Sequence, residues 1–263
     1  MTFFDSHAHL GDDDLFPDID QVLLRAQAAN VASIVNICTS AITLERGLLL
    51  AGRHPWILNA AAITPHDACK EGDALFALIE KHALSGDLVA IGETGLDYHY
   101  YADTKKEQQQ LFCRYIQLAL SCRLPLIIHC REAFKDLLQL LDTHYITHAD
   151  HIPGVLHCFT GTGIEAKELI SRGWYLSFSG IVTYKKSDDL RQIAKLTPID
   201  QILIETDSPY LAPASRRGDI NEPGFLGETA SIIAKEKGIS IEELAKHTTA
   251  NAQLVFQKRT RKS

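Results

Sequence analysis

Several features that mark specialised classes of protein are missing from this chain of 263 residues. Its six cysteines include no Cys-x-x-Cys pair and are too few for a disulfide framework in a chain of this length. No apolar run approaches the ~20 residues that a membrane helix requires. The N-terminal MTFFDSHAHL also lacks the basic and apolar segments of a secretion signal. We therefore expect a cytoplasmic protein with no membrane contact.

An excess of basic charge is also missing. The formal net charge is -7, so the surface as a whole repels polyanions, and a nucleic acid would have to be attracted by local groups or metal ions. The basic tail QKRTRKS is best interpreted as a solvated helix end and receives no predicted function. No proline-rich, glycine-serine or single-charge linker divides the chain, which predicts one domain over residues 1–263. The oligomeric state is left open.

The chain does contain a regular alternation of short apolar runs and longer stretches with helical spacing. Strands are predicted at 2–6, 31–37, 57–63, 88–92, 124–130, 154–159, 174–180 and 201–206. Helices are predicted at 19–30, 74–84, 105–122, 132–144, 228–238, 240–247 and 249–257. Eight βα units in this length favour an α/β fold of the (β/α)8 TIM-barrel class over an open doubly wound sheet.

Residue types that bind metals recur where these strands end. They are His7, His9, Glu93, His129, His157 and Asp207. Each of them alone has an ordinary reading as a core histidine or a helix cap. In a (β/α)8 barrel, however, the strand ends meet at one mouth. Four histidines and two carboxylates crowded there would be costly unless cations neutralise them, so the set predicts a metal centre.

This number of ligands exceeds what one tetrahedral site requires and favours two divalent ions that share a bridging carboxylate. The predicted partition has Glu93 as the bridge, one ion on His7, His9 and Asp207, and the other on His129 and His157. Two ions ~3.5–4 Å apart activate water and stabilise the leaving oxygen of an ester, which predicts hydrolysis. Mixed histidine and carboxylate ligands accept Zn²⁺, Mn²⁺ or, less readily, Mg²⁺.

Six motifs together resemble the signatures of the TatD metal-dependent deoxyribonucleases, within the amidohydrolase superfamily. In chain order they are DSHAHL, IGETGLDY, HCREA, HCFTG, ETDSPYLAP and RRGDINEP. The resemblance runs from residue 4 to about residue 223. It implies a (β/α)8 barrel, a two-metal site with the ligands above, and cation-dependent hydrolysis of DNA, often from the 3′ end. The expected substrate is therefore DNA, single-stranded or at a 3′ end.

One position departs from the family. Members commonly carry Gly-Ile-His-Pro-His after the third strand, whereas AAITPHDA has Thr64 in place of the first histidine and keeps Pro65 and His66. Because that histidine is outside the predicted ligand set, we expect the ions to be retained. The substitution instead puts substrate positioning, or full nuclease activity, in question.

Roles for single residues follow from this reading. Asp207 is predicted to act both as a ligand and as the acceptor of the proton from the attacking water, with Glu93 as the second catalytic residue. The predicted substrate-binding residues are Arg131, His66, Tyr98 and Arg217. For Arg131 and His66, a position at the start of a helix is an equally good interpretation. The loop RRGDINEP is expected either to hold its own shape or to contact substrate.

A glycine motif in the chain does not predict a nucleotide cofactor. GTGIEA at 161–166 matches Gly-x-Gly-x-x-Ala, but the next strand ends without the acidic residue that holds a ribose, so no nucleotide cofactor is predicted.

Two other functions compete with the nuclease interpretation. The first is an amidohydrolase that opens a cyclic amide or lactone with the same metals. The second is a non-catalytic barrel that binds a partner. DNA against RNA, and end against internal cleavage, stay open.

Overall fold

The structure, a computed structural model, describes residues 1–70, 72–149 and 151–257. Eight parallel strands lie in the order β1 to β8, each hydrogen-bonded to the next. The strands are β1 Phe3–Ala8, β2 Val31–Cys38, β3 Ile57–Ala61, β4 Leu88–Asp97, β5 Leu126–Arg131, β6 Val155–Leu156, β7 Tyr175–Phe178 and β8 Ile202–Ile204. The α-helices are α1 Ile19–Ala28, α2 Ala41–Arg53, α3 Asp73–Ser85, α4 Lys105–Cys122, α5 Phe134–His144, α6 Gly163–Ser171, α7 Asp188–Leu196, α8 Leu226–Lys237 and α9 Ile241–Val255.

The first and last strands meet and bring the sheet close to a full barrel. The backbone N–H of Asp207 donates to the carbonyl of His7 at 2.9 Å, and that of His9 donates to Ser208 at 2.7 Å. The Ser6 hydroxyl adds a bond of 3.0 Å to the Ile204 carbonyl. This nearly closed (β/α)8 arrangement confirms the predicted fold class. The domain assignment to 1–263 stays a prediction, and residues 258–263 of the basic tail lie outside the described residues.

The C-terminal helix closes one end of the barrel. Phe4, at the start of β1, stacks on Phe256 beyond the end of α9 with ring centroids 6.0 Å apart. The Asn251 side chain on α9 donates to the Ile199 and Ile202 carbonyls at the start of β8, both at 2.9 Å. Helix α9 therefore covers the N-terminal ends of the strands. The C-terminal ends are left to form a mouth, where barrel enzymes assemble their sites.

Several predicted strand bounds need correction, and those of three strands bear on the metal-binding residues. Strands β1 and β4 were expected to end at residues 6 and 92, but they continue to Ala8 and Asp97. Polar and glycine residues interrupt the apolar pattern there, yet their backbones keep the parallel ladder with the neighbouring strands. The strand expected over 154–159 is only Val155–Leu156, because the chain leaves the sheet at a left-handed Cys158 with φ of 42°. As a result, Glu93 lies within a strand rather than after it.

The C-terminal helices and the glycine motif also differ from expectation. The two helices predicted at 240–247 and 249–257 are the single helix α9. Thr248 between them is compatible with this helix because its hydroxyl bonds back to the Leu244 carbonyl at 3.0 Å. In the motif at 161–166, Thr162 and Glu165 form a capping box at the start of α6, which accounts for the sequence without a bound nucleotide. Among the described residues, no helix is long and apolar enough to cross a membrane.

Candidate metal centre

The open mouth of the barrel holds a cavity of about 550 Å³. Its walls include five of the six predicted ligands, namely His9, Glu93, His129, His157 and Asp207. The sixth, His7, lies beneath them with none of its surface exposed. Strands that are far apart in sequence but adjacent in the barrel thus bring all six side chains to one place.

The first group of donor atoms comes from β1 and from the segment after β8. His7 Nε2 and His9 Nε2 lie 3.2 Å apart, and each is 3.5 Å from Asp207 Oδ1. Glu93 Oε2 completes the group at 3.5 Å from His7 Nε2 and 3.6 Å from His9 Nε2. His7 and His9 therefore share two carboxylate neighbours, Asp207 and Glu93.

The second group forms around the other oxygen of the same carboxylate. Glu93 Oε1 lies 2.9 Å from His157 Nε2 and 3.1 Å from His129 Nδ1. Each oxygen of Glu93 therefore faces a different group of histidines. This is the position expected of a carboxylate that bridges two cations.

The spacing of the donors fits divalent cations. Ligand atoms at the corners of a tetrahedron with bonds of ~2.0–2.2 Å are separated by ~3.3–3.6 Å. The five separations that involve His7 or His9 run from 3.2 to 3.6 Å. Two imidazole nitrogens that face each other in a buried site also need a cation between their lone pairs, or a proton. The second group offers three donors, which leaves room for water or substrate at an ion placed there.

The carboxylates and histidines of the site shift one another's pKa values. Burial raises the pKa of Glu93, but the neighbouring histidines, His157 first, outweigh burial and hold that pKa well below its usual value. Burial likewise raises the pKa of Asp207, and the bond to His9 and the nearby imidazoles lower it overall. For His157, burial lowers the pKa, and the surrounding carboxylates raise it well above its ordinary value. Both carboxylates are therefore ionised at neutral pH, as metal ligands must be.

A carboxylate that sequence reasoning missed lies behind His129. Asp97 Oδ2 is 2.9 Å from His129 Nε2 and 3.0 Å from His66 Nε2. Asp97 Oδ1 accepts from the backbone N–H groups of His99 and Tyr100. With one His129 nitrogen on Asp97, the other is left to face Glu93. The available signal was the motif itself, since this acidic residue ends the same strand as Glu93.

A second missed carboxylate, Glu205, is fully buried behind His157. Its Oε1 accepts from the Cys158 backbone N–H at 2.6 Å and lies 3.4 Å from His157 Nδ1. It stands two residues before Asp207, so the two acidic residues in ETD were both present in the motif. Sequence reasoning assigned only one of them.

Two of the predicted substrate-binding residues reach the cavity. His66 and Arg131 both line it, as do Thr64 and Tyr100. The Arg131 guanidinium lies over the Tyr100 ring at 4.7 Å, and His66 is about one third exposed. Thr64 stands at the cavity wall where the family commonly has a histidine, and its hydroxyl is 3.4 Å from Asp67 Oδ2. Among the described wall residues, the mouth therefore has one guanidinium, that of Arg131.

The other two predicted substrate-binding residues, Tyr98 and Arg217, do not line the cavity. The Tyr98 hydroxyl donates to Asp136 at 2.9 Å and accepts from Gln109 at 2.8 Å, so the side chain packs between helices α4 and α5. The Arg217 guanidinium lies 5.8 Å from the centre of the Tyr184 ring, and Arg217 is not part of the cavity wall. Substrate contacts of Tyr98 and Arg217 have no support in this geometry and stay predictions.

The loop RRGDINEP holds its own shape through its polar residues. The Asn221 amide donates to the Thr206 and Tyr210 carbonyls at 2.8 and 2.6 Å. Glu222 accepts from the Arg25 guanidinium on α1, with its closest oxygen at 2.7 Å. These bonds fix the chain just after Asp207. They favour a role of the loop in holding its own shape over a role in contacting substrate.

Comparison with known proteins places the chain in a family. The family model described as "TatD related DNase" matches residues 4–257. The chain is 38% identical to "Uncharacterized metal-dependent hydrolase YcfH" of Escherichia coli, over 97% of this chain and 96% of that protein. It is 37% identical to "3'-5' ssDNA/RNA exonuclease TatD" of Cronobacter turicensis, over 92% of each chain.

A solved structure agrees with this placement. The crystal structure of YjjV, a TatD homologue from Escherichia coli, superposes with a TM-score of 0.89 and 26% sequence identity, and the match covers 97% of both chains. The match of the family model, the relatives and the shared barrel confirm the resemblance drawn from the six motifs. The chain belongs to the TatD family of metal-dependent hydrolases.

Proposed function

We propose that this protein is a two-metal phosphodiesterase that removes nucleotides from the 3′ end of single-stranded DNA or RNA. The observation that carries the proposal is the position of Glu93, whose two oxygens face two separate groups of histidines at 2.9–3.6 Å. The Cronobacter relative, a 3'-5' ssDNA/RNA exonuclease by name, supplies the substrate class and direction of the proposal.

In this proposal the predicted ligands keep their partition. His7, His9 and Asp207 would hold one ion, His129 and His157 would hold the other, and Glu93 would be a ligand of both. When bound, divalent ions supply Lewis acidity, which lowers the pKa of water and neutralises charge on a phosphate. The ligand types suit Mn²⁺, Zn²⁺ and Mg²⁺.

The side chains around the ligands perform the remaining steps. Asp207 is ionised and lines the cavity, so it is placed to accept the proton that the attacking water loses. Arg131 is placed to hold phosphate oxygens through paired N–H groups. His66, held by Asp97 at 3.0 Å, faces the same space and contacts the phosphate or the leaving group.

The shape of the cavity supports a chain end as substrate. A space of about 550 Å³ that ends on Glu93 and Asp207 admits a terminal nucleotide more readily than the middle of a duplex. Tyr100 and Tyr210 are 61% and 49% exposed at its rim, where unpaired bases can stack on them. Because the chain carries a net charge of -7, the cations and Arg131 must provide the attraction for the phosphate.

The rival amidohydrolase reaction has less support. Its variant with a carboxylated lysine as the bridge needs a lysine in the cavity wall, and the described wall residues include none. Glu93 occupies the bridging position instead.

The test uses metal-stripped protein and 5′-labelled single-stranded DNA and RNA, with Mn²⁺, Mg²⁺ or Zn²⁺ added back. We expect a ladder that shortens from the 3′ end and no cleavage of circular single-stranded DNA. Glu93→Gln should lose at least about 100-fold in rate, because a preorganised charged group is removed. The matched control is Glu168→Gln, which changes a half-exposed glutamate on α6 that pairs with Arg172.

Equal rates for wild type and Glu93→Gln would overturn the site. Cleavage of the circular DNA would overturn the requirement for an end, and release of nucleotides from the 5′ end would overturn the direction. Hydrolysis without added cation, after metal removal is verified by elemental analysis, would overturn metal dependence.

A further inference from the structure

Behind the proposed metal ligands, several buried polar atoms lack partners. Within the part of the chain that the structure describes, Glu205 Oε2, His7 Nδ1 and His157 Nδ1 accept or donate no hydrogen bond. All three residues are at least 94% buried. Buried polar groups in folded proteins are nearly always paired, so three such atoms in one region call for an explanation.

The two histidine rings are arranged as a pair. His7 and His157 stack with centroids 3.9 Å apart and an angle of 11° between their planes. The Nε2 atoms of both rings face Glu93, His7 at 3.5 Å and His157 at 2.9 Å. Both Nδ1 atoms are therefore on the edges of the rings that do not face Glu93.

Glu205 is the carboxylate on that other side. Its Oε1 lies 3.4 Å from His157 Nδ1. One oxygen of Glu205, one nitrogen of His7 and one nitrogen of His157 lie within 4.8 Å of one another. A neutral imidazole that binds a cation through Nε2 carries its proton on Nδ1 and needs an acceptor there. Glu205 has an unpaired oxygen available for that purpose.

We propose that Glu205 is a positioning residue that orients one histidine ligand of each proposed ion. It accepts the Nδ1–H of His157 and of His7, and so keeps both rings in the form whose Nε2 lone pair points at the cavity. The inference rests on the metal site of the proposed function. Because His7 and His157 are assigned to different ions, loss of this one carboxylate weakens both.

A merely structural role makes a different prediction. Glu205 also accepts from the Cys158 backbone N–H at 2.6 Å, which holds the turn after His157. Glutamine has the same shape and keeps an oxygen for that bond. If the turn were the whole role, Glu205→Gln would leave metal binding unchanged. If the histidines instead need the Glu205 carboxylate as acceptor, Glu205→Gln weakens metal binding. The glutamine NH₂ is a donor and cannot accept the Nδ1–H of a histidine.

The first measurement is calorimetric titration of metal-stripped protein with Mn²⁺. Wild type and the control Glu168→Gln should each bind two ions, and the affinity for each ion should be the same in the two proteins. In Glu205→Gln both affinities should fall by about 10- to 100-fold, the usual cost of removing an acceptor behind a ligating histidine. Unchanged affinities, or a loss confined to one ion, would overturn the shared role.

The second measurement is histidine ¹⁵N NMR of the Zn²⁺-loaded protein, which reports which ring nitrogen carries the proton. We expect Nδ1 protons on His7 and His157, shifted downfield by the bond to a carboxylate. In Glu205→Gln these signals should move upfield or exchange away. If the variant does not fold, wild type decides alone, because a ring protonated on Nε2 would overturn the proposal. Failure of wild type to bind Mn²⁺ would instead overturn the proposed function and, with it, this inference.

Discussion

Gly95 offers a sharp test of how strand packing positions the metal centre. It lies on β4 directly opposite His129 on β5, in a backbone conformation with φ of 141°. A Cβ atom at this position would lie 2.0 Å from the His129 carbonyl oxygen. Carbon and oxygen atoms normally approach to about 3.3 Å, so in Gly95→Ala the two strands must separate by more than about 1 Å.

The size of the effect follows from this displacement. His129 Nδ1 lies 3.1 Å from Glu93 Oε1, and a shift of that size would take His129 out of reach of an ion shared with Glu93. A misplacement of about 1 Å can cost about 100-fold in rate. Strain at the positive φ and overpacking each add about 1–3 kcal/mol to the loss of stability. Together they should lower Tm by roughly 5–15 °C in a protein of this size.

The assay is the proposed exonuclease reaction with added Mn²⁺, together with thermal unfolding followed by circular dichroism. Gly52→Ala is the matched control, because Gly52 is exposed on α2 and a Cβ there meets nothing within 4 Å. That substitution should keep the rate and raise stability by about 0.5–1 kcal/mol. A Gly95→Ala protein with the rate and Tm of wild type would refute the reasoning, since it would mean that the strands can separate without moving His129.

Three further outcomes are expected. Tyr115→Phe should lower the free energy of unfolding by about 1–3 kcal/mol in urea titrations, because the buried Ile63 N–H loses the hydroxyl it bonds to at 2.9 Å; no change would show that another acceptor replaces it. Asp97→Asn should weaken Mn²⁺ binding in calorimetry by about 10- to 100-fold at the proposed ion of His129 and leave the other proposed ion unchanged, since His129 is the one proposed ligand that Asp97 bonds to among the described residues. Equal losses at both ions would contradict this. Chelation should abolish hydrolysis. When metal is added back at a free concentration of about 100 times the Kd of a site, filling that site should raise the free energy of unfolding by about 2.7 kcal/mol. No shift of Tm in scanning calorimetry would argue against ions bound to the folded state.

Some strand bounds could not be predicted because apolar periodicity stops where the site begins. The pattern on β4 ends at residue 92, yet the ladder continues through Glu93 to Asp97. In the mouth of a barrel the side chains are polar because they face a cavity, so the criterion that identifies a buried strand fails there. The same limit applied to β1, which carries His7.

The side-chain direction of Tyr98 also lay beyond the sequence. Its place directly after Asp97 suggested the rim, but its hydroxyl bonds Asp136 on α5 and Gln109 on α4. Those partners are 38 and 11 residues away in the chain. A local pattern says nothing about which helix covers a strand end. Only the packing of α4 and α5 against the barrel decides that Tyr98 points outward.

The sequence by itself determined the barrel class, the family and the six candidate ligands, because each ligand type stands beside the end of an apolar run and the fold brings such ends together. Tertiary structure decided which atoms face one another. It placed the two oxygens of Glu93 against different histidines, and it placed Asp97 and Glu205 behind the ligands. Those relations depend on distances between strands up to about two hundred residues apart in the chain, which no local pattern encodes.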